Sequence, residues 1–314
     1  MKKRAYAIIA ALCLTTAAVG ATAVTMTSFT QSASAEVVNE KLGDPIVVYG
    51  GSLSDSEKET VKKDLGVSGT VKEVTVTGSD IAKYIQNGNS SARLYSSAKI
   101  TPEDAGYGIV VEIKTPQNIT QVTSDMYSNA MLTAGISDAK VEVAAPKAVT
   151  GHSALAGVYK AYEATTGEKL DTERTDVANQ ELDVATTLAD KAGVDQDKVS
   201  QLLTEIKQQI AEQKPATKED VAKIVDDKLQ SLQINLSDED RQLLVDLMNK
   251  ISNLDINFGQ WSDQLNDLGN KLTDSINNLK DSVNENTGFW DKVVQWFKNL
   301  FGIGDDSNDS ETNQ

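Results

Sequence analysis

His152 is the only histidine in the 314-residue chain and Cys13 the only cysteine. Acid–base and nucleophilic catalysis draw on such side chains first. A Ser-His-Asp triad would have to use His152, yet no Gly-x-Ser-x-Gly elbow accompanies it. Its setting, Gly151-His152-Ser153, reads as a turn entering a helix, with His152 an exposed turn residue. One histidine cannot build a multi-histidine metal site, and neither His-Glu-x-x-His nor an EF-hand loop occurs. Asp305, Asp306 and Asp309 lack the loop glycine and closing glutamate of a calcium loop. The 46 acidic residues offer carboxylate pairs for hydrolysis, but context sets none of them apart. No catalytic, cofactor-binding or metal-ligating residue is assigned, and this inventory favours binding or structure over an enzyme.

Cys13 lies in the segment that fixes the expected compartment. Lys2, Lys3 and Arg4 precede an apolar run from Ala5 to Leu14, and no further charge appears before Glu36. Ala33-Ser34-Ala35 supplies the small-x-small pattern of a signal-peptidase site, so residues 1–35 read as a secretory leader cleaved after Ala35. Leu12 before Cys13 is too large for lipidation, so the mature chain is expected to have neither cysteine nor disulfide. The expected localisation is secreted or extracytoplasmic, with association to the envelope. Cleavage removes three positive charges and no negative one from a formal −16, leaving −19. Such acidity repels a phosphate backbone and argues against nucleic acid as a partner.

The remaining chain divides by pattern. Residues 36–150 read as mixed α and β. Ile46-Val47-Val48-Tyr49 is a short apolar strand, and Ser54-x-x-Glu57 a capping box opening a helix that ends near Gly66. Strands are predicted over residues 71–77, 93–99, 107–114 and 139–145, with a turn containing Pro102 and Gly106. Ser79 is read as the cap of a short helix to Ile85, and a further helix covers residues 122–134, closed by Gly135. The order predicts an α+β fold: an α/β sandwich-like amino-terminal domain, taken as a ferredoxin-like split βαβ unit with an extra short helix, followed by a mostly helical half. Residues 151–235 read as a helical bundle, with breaks at Gly167, Gly193 and Pro215.

Residues 236–287 carry a heptad seam. Leu244, Leu247, Ile251, Leu254, Phe258, Trp261, Leu265, Leu268 and Leu272 are spaced alternately by three and four. Asn and Asp dominate the other positions, so this helix needs a partner: the preceding helices, a hairpin on itself, or a second chain. Residues 288–303 form an amphipathic aromatic segment. At about 100° per residue, Phe289, Trp290, Val293, Trp296, Phe297, Leu300 and Phe301 fall on one half of the wheel. Asp291, Lys292, Gln295, Lys298 and Asn299 occupy the other half. Two of the three Trp and three of the five Phe lie here. Each large side chain gains about 1.5–3 kcal/mol on burial, so this face seeks a bilayer interface, another protein or its own chain. Residues 304–314 read as a disordered acidic tail.

The middle of the chain resembles a known family. The series runs Gly108-Ile109-Val110-Val111, Asn118-Ile119-Thr120, Met126-Tyr127-Ser128-Asn129-Ala130, Thr133-Ala134-Gly135-Ile136 and Val143-Ala144-Ala145-Pro146. It continues with Thr150-Gly151, Ala154-Leu155-Ala156-Gly157 and Lys160-Ala161-Tyr162-Glu163. Over about residues 45–250 it is similar to the YpuA-like family of secreted Gram-positive proteins, a domain of unknown function. The resemblance implies export and brings no activity, cofactor or ligand; family members tend to carry a small or hydroxyl residue where His152 stands. Within the series, Asn118, Thr120, Tyr127 and Asn129 are polar groups near a loop-to-helix junction and form a candidate cleft.

These readings converge on a non-enzymatic, exported, envelope-associated binding or structural protein. Its expected partner is a membrane surface or an envelope protein, contacted through the aromatic segment. Two alternatives accompany it: a carboxylate-dependent envelope hydrolase, and a coiled-coil assembly or adhesion module.

Overall fold

Strand β1 (Ile46–Gly50) is buried at every position, as four consecutive apolar side chains require. Such a strand needs hydrogen-bonded neighbours on both sides and cover on both faces. The computed structural model, which describes residues 44–69, 71–191 and 193–282, supplies both. The expected leader, the aromatic segment and the acidic tail lie outside the described residues. None of the described helices is long and apolar enough to cross a membrane.

The chain continues through α1 (Asp55–Asp64), β2 (Lys72–Val76), α2 (Gly78–Tyr84), β3 (Ser97–Pro102), β4 (Ile109–Ile113), α3 (Ser124–Ala134) and β5 (Ala139–Ala144). The sheet order is β2-β1-β3-β5-β4. β1 pairs in parallel with β2, and β4 with β5; β3 runs antiparallel to both β1 and β5. The class is α+β, but the split βαβ order is corrected. In a split unit an antiparallel strand separates the two parallel ones, whereas here each parallel pair is direct and β3 stands between the pairs. The side chains account for this: β2, with Lys72, Glu73 and Thr75 exposed, suits an edge beside β1.

The pleat sends alternate residues to opposite faces. Val47 and Tyr49 pack under Val61 of α1 and Leu65, the residue that closes it. Ile46, Val48, Ala98, Ile100, Val141 and Val143 face the larger helical layer and join its core. α1 opens on the expected capping box, Ser54 with Glu57. α2 begins two positions earlier than predicted: Asp80 accepts from the Thr77 backbone N–H at 2.7 Å, so Thr77 rather than Ser79 holds the cap.

The helical half comprises α4 (Ser153–Thr166), α5 (Thr172–Lys191), α6 (Gln196–Gln213), α7 (Lys218–Ser231), α8 (Asp238–Ser252) and α9 (Phe258–Ser282). α4 crosses β1, β2 and β3. Gly157 lets it approach closely, since a Cβ there would already touch Val48 at 3.4 Å. α6 is enclosed by α3, α5, α7, α8 and α9. The heptad seam is not one helix. Asn253, Asp255 and Asn257, all poor helix formers, interrupt it, and Leu254 and Ile256 tuck into the core from the connection. α8 lies on α5 and α7, and α9 on α6 and α3. Leu244, Leu247, Ile251, Trp261, Leu265, Leu268 and Leu272 are thus buried within their own chain.

Candidate functional site

Strand β3 starts at Ser97, four residues later than the predicted start at Arg93. The segment from Ala92 to Tyr95 instead folds over the end of β1 as a loop. Its backbone is clamped by a reciprocal pair: Ser52 N–H donates to Leu94 O at 3.0 Å, and Leu94 N–H donates to Ser52 Oγ at 3.1 Å. This approach requires glycine underneath, because a Cβ on Gly50 would lie 2.4 Å from Leu94 O.

Opposite this loop runs the connection from β5 to α4, residues 145–152. Three of the four residues read from sequence as a cleft hold it in place. Asn118 Nδ2 donates to Ala145 O at 2.7 Å, Thr120 Oγ1 to Val149 O at 3.0 Å, and Tyr127 Oη to Gly151 O at 2.6 Å. Tyr127 is fully buried, and burial pushes its phenol far above the ordinary tyrosine value. Gly151 sits at φ 107°, where a Cβ would also press on Tyr127 Oη at 2.8 Å.

Asn129 goes elsewhere. Its amide donates to Thr204 Oγ1 at 3.0 Å inside the helical core. Beside it Lys207 Nζ donates to Asn129 O at 3.0 Å and to Glu181 Oε1 at 2.7 Å, while Thr133 Oγ1 donates to the other oxygen of Glu181. This network joins α3, α5 and α6 without an opening to solvent.

Between the loop and the connection lies a cavity of about 280 Å³. Its apolar floor comes from Ile81 and Ile85 at the end of α2, with Leu94 and Val149 from the two walls. Its polar rim comes from Arg93, His152, Asn179 and Asp183. Asn179 and Asp183 are four apart on α5 and therefore project from one face.

His152 is not the exposed turn residue its local sequence suggests. It takes the cap position of α4 without making a side-chain capping bond, and turns its ring toward α5. Nε2 lies 3.3 Å from Asp183 Oδ1 and 3.3 Å from Thr186 Oγ1. Burial holds the imidazole below its ordinary value, opposed by the Asp183 carboxylate. Partial desolvation beside the ring raises Asp183, although its side chain is largely exposed, and the charge of His152 opposes the shift. The pair resembles the base-and-orienter half of a triad, but the neighbouring hydroxyl is engaged otherwise: Ser153 Oγ pairs with Ser96 Oγ at 2.8 Å. The arrangement therefore offers hydrogen-bonding groups and charges around an apolar floor, which suits holding a small molecule. Among the described residues, no group of three or more His, Cys, Asp or Glu is placed to hold a metal ion.

Arg93, Asn179 and Asp183 were not legible as site residues. They come from a loop and a helix far apart in sequence, and nothing in their local patterns marks them out.

A profile of a family described as a protein of unknown function, DUF1002, matches residues 49–268. The chain belongs to this family. The uncharacterized protein YpuA of Bacillus subtilis (strain 168) is 38% identical over 265 residues, covering 83% of this chain and 88% of that protein. No solved structure matches the chain. The family match runs from within β1 into α9 and includes every residue of the cavity. It stops before the aromatic segment at 288–303.

Proposed function

We propose that this DUF1002 protein is exported, acts at the cell envelope, and binds a small ligand without transforming it. The observation that carries the binding role is the cavity between the 92–95 loop, the β5–α4 connection and α5. Its floor is apolar, and its rim carries polar and charged groups of both signs. The leader pattern at residues 1–35 supports export. The two-faced aromatic segment at 288–303 supports contact with a membrane surface or an envelope partner. With only Lys292 and Lys298 on its polar face, that contact is hydrophobic and largely independent of salt.

Two measurements test the two halves. Liposome sedimentation compares the full-length protein with a chain ending at Asn286. Pelleting of the full-length protein alone, little changed between 50 mM and 500 mM salt, is expected; equal, negligible pelleting of both removes the membrane role. For the cavity, Ala92→Phe fills the space from its wall. Small-molecule binding to the parent that this variant abolishes, at unchanged thermal stability, is the expected result. Binding retained in the variant would place the ligand elsewhere.

A further inference from the structure

Arg93 and Asp183 border the same cavity but form no ion pair with each other. Arg93 is exposed and makes no hydrogen bond or ion pair with the other described residues. The Asp183 carboxylate lies 3.3 Å from the His152 ring and makes no other hydrogen bond or ion pair with the described residues. Both side chains are open to solvent, Asp183 with an exposure of 72%, so water solvates each and leaves it available to a ligand. Here they stand on separate walls, one on the 92–95 loop and one on α5, with Ile81, Ile85, Leu94 and Val149 between them. The volume of about 280 Å³ is at the small end of organic-ligand sites, the size of an amino acid or a dipeptide.

We infer that the cavity binds a zwitterionic, apolar amino acid or dipeptide: the α-carboxylate lies on the Arg93 guanidinium, the α-ammonium on the Asp183 carboxylate, and the apolar side chain on the isoleucine and leucine floor. This deepens the binding role proposed above and rests on it. Guanidinium suits the carboxylate end because its planar fork matches both oxygens. Asn179, buried at the rim and one turn from Asp183, lies within the same wall to receive the amine or peptide N–H. A simple fatty or aromatic acid would leave the Asp183 carboxylate without an ammonium partner, and a polyanion would be repelled by it.

Calorimetric titration of the full-length protein separates the contributions. The probes are leucyl-leucine, its N-acetyl form, its C-terminal amide, and indole as an uncharged apolar control. Leucyl-leucine is expected to bind at least about tenfold more tightly than either blocked form, one charged contact being lost in each. In Arg93→Met the dipeptide and its amide become equal, while the N-acetyl form stays weaker. In Asp183→Asn the dipeptide and its N-acetyl form become equal, while the amide stays weaker. Both positions are on the rim, so neither change empties the core. Failure of all four probes to bind overturns the proposal, as does equal affinity for all of them. Binding of indole that Ala92→Phe abolishes, without preference for the dipeptide, also overturns it while leaving the cavity a binding site. Dipeptide binding indifferent to both Arg93→Met and Asp183→Asn sinks the assignment of the two charges.

Discussion

Lys207 Nζ and Glu181 Oε1 lie 2.7 Å apart in the centre of the helical layer, with side-chain exposures of 0% and 1%. Neither charge reaches water, so each depends on the other and on neighbours: Asn129, Thr133 and the Trp261 ring for the ammonium, Thr133 for the carboxylate. Burial lowers the proton affinity of Lys207, and Glu181 opposes that shift. Lys207→Met strands the glutamate and is expected to cost about 3–5 kcal/mol in urea unfolding. Lys207→Met combined with Glu181→Leu removes both charges and is expected to recover most of that loss. A double variant no more stable than the single one would show that the network contributes more than the pair.

A second buried acid on α6 sets a pH dependence. Burial pushes Glu205 up to about 7, with the Lys228 ammonium at 3.8 Å and Gln201 pulling it back. The folded state therefore holds a proton that the unfolded chain, titrating near 4.5, releases earlier. Stability from this group is complete below pH 4.5 and is lost as pH rises through 7. Asp125, raised by burial to about 6, acts in the same direction. His152 acts in the opposite one, since its lowered value penalises folding as pH falls. The difference between parent and Glu205→Gln isolates the glutamate. The variant should gain about 1–3 kcal/mol on the parent at pH 8 relative to pH 5, read from urea midpoints at both values. A constant difference across that range would reject the assignment.

Tyr127 and Thr120 hold the same wall of the cavity from different depths. Tyr127→Phe removes the buried donor to Gly151 O and leaves that carbonyl without its 2.6 Å partner. The expected cost is about 1–2 kcal/mol. Thr120 is exposed, so water replaces its bond to Val149 O, and Thr120→Ala should cost less than about 0.5 kcal/mol. Chemical denaturation of both variants checks the ranking, and equal costs would contradict it.

What the sequence disclosed follows from where the determinants lie. Ser54 and Glu57 are three residues apart and dictate a helix start by themselves, so α1 could be read directly. Gly135 and Gly167 closed α3 and α4 where a left-handed residue was expected. The strand order depended instead on long-range pairing of β3 with β1 and β5, for which no local pattern exists. The predicted strand 93–99 includes Arg93, whereas the clamp between Ser52 and Leu94 holds that stretch as a loop. Asn118, Thr120 and Tyr127 could be singled out as polar groups at a junction. That they hold the wall behind the cavity depends on backbone acceptors 24 to 29 residues away.

The loop that carries Arg93 rests on Gly78 as well as Gly50. A Cβ at Gly78 would lie 2.1 Å from Ser90 O, a backbone atom that cannot swing aside as a side chain would. Gly78→Ala must therefore lift the 89–93 stretch from α2, at about 1–3 kcal/mol. Gly167→Ala provides the contrast: its φ of 75° imposes backbone strain, but nothing lies within 4 Å of the added carbon, so the loop is untouched. Limited trypsinolysis distinguishes the two effects, since Arg93 is the cleavage site within the loop. Gly78→Ala should be cut after Arg93 several-fold faster than the parent, and Gly167→Ala at the parental rate there even if its melting temperature falls. Equal acceleration in both variants would mean that cleavage follows overall stability and that Gly78 has no particular hold on the loop.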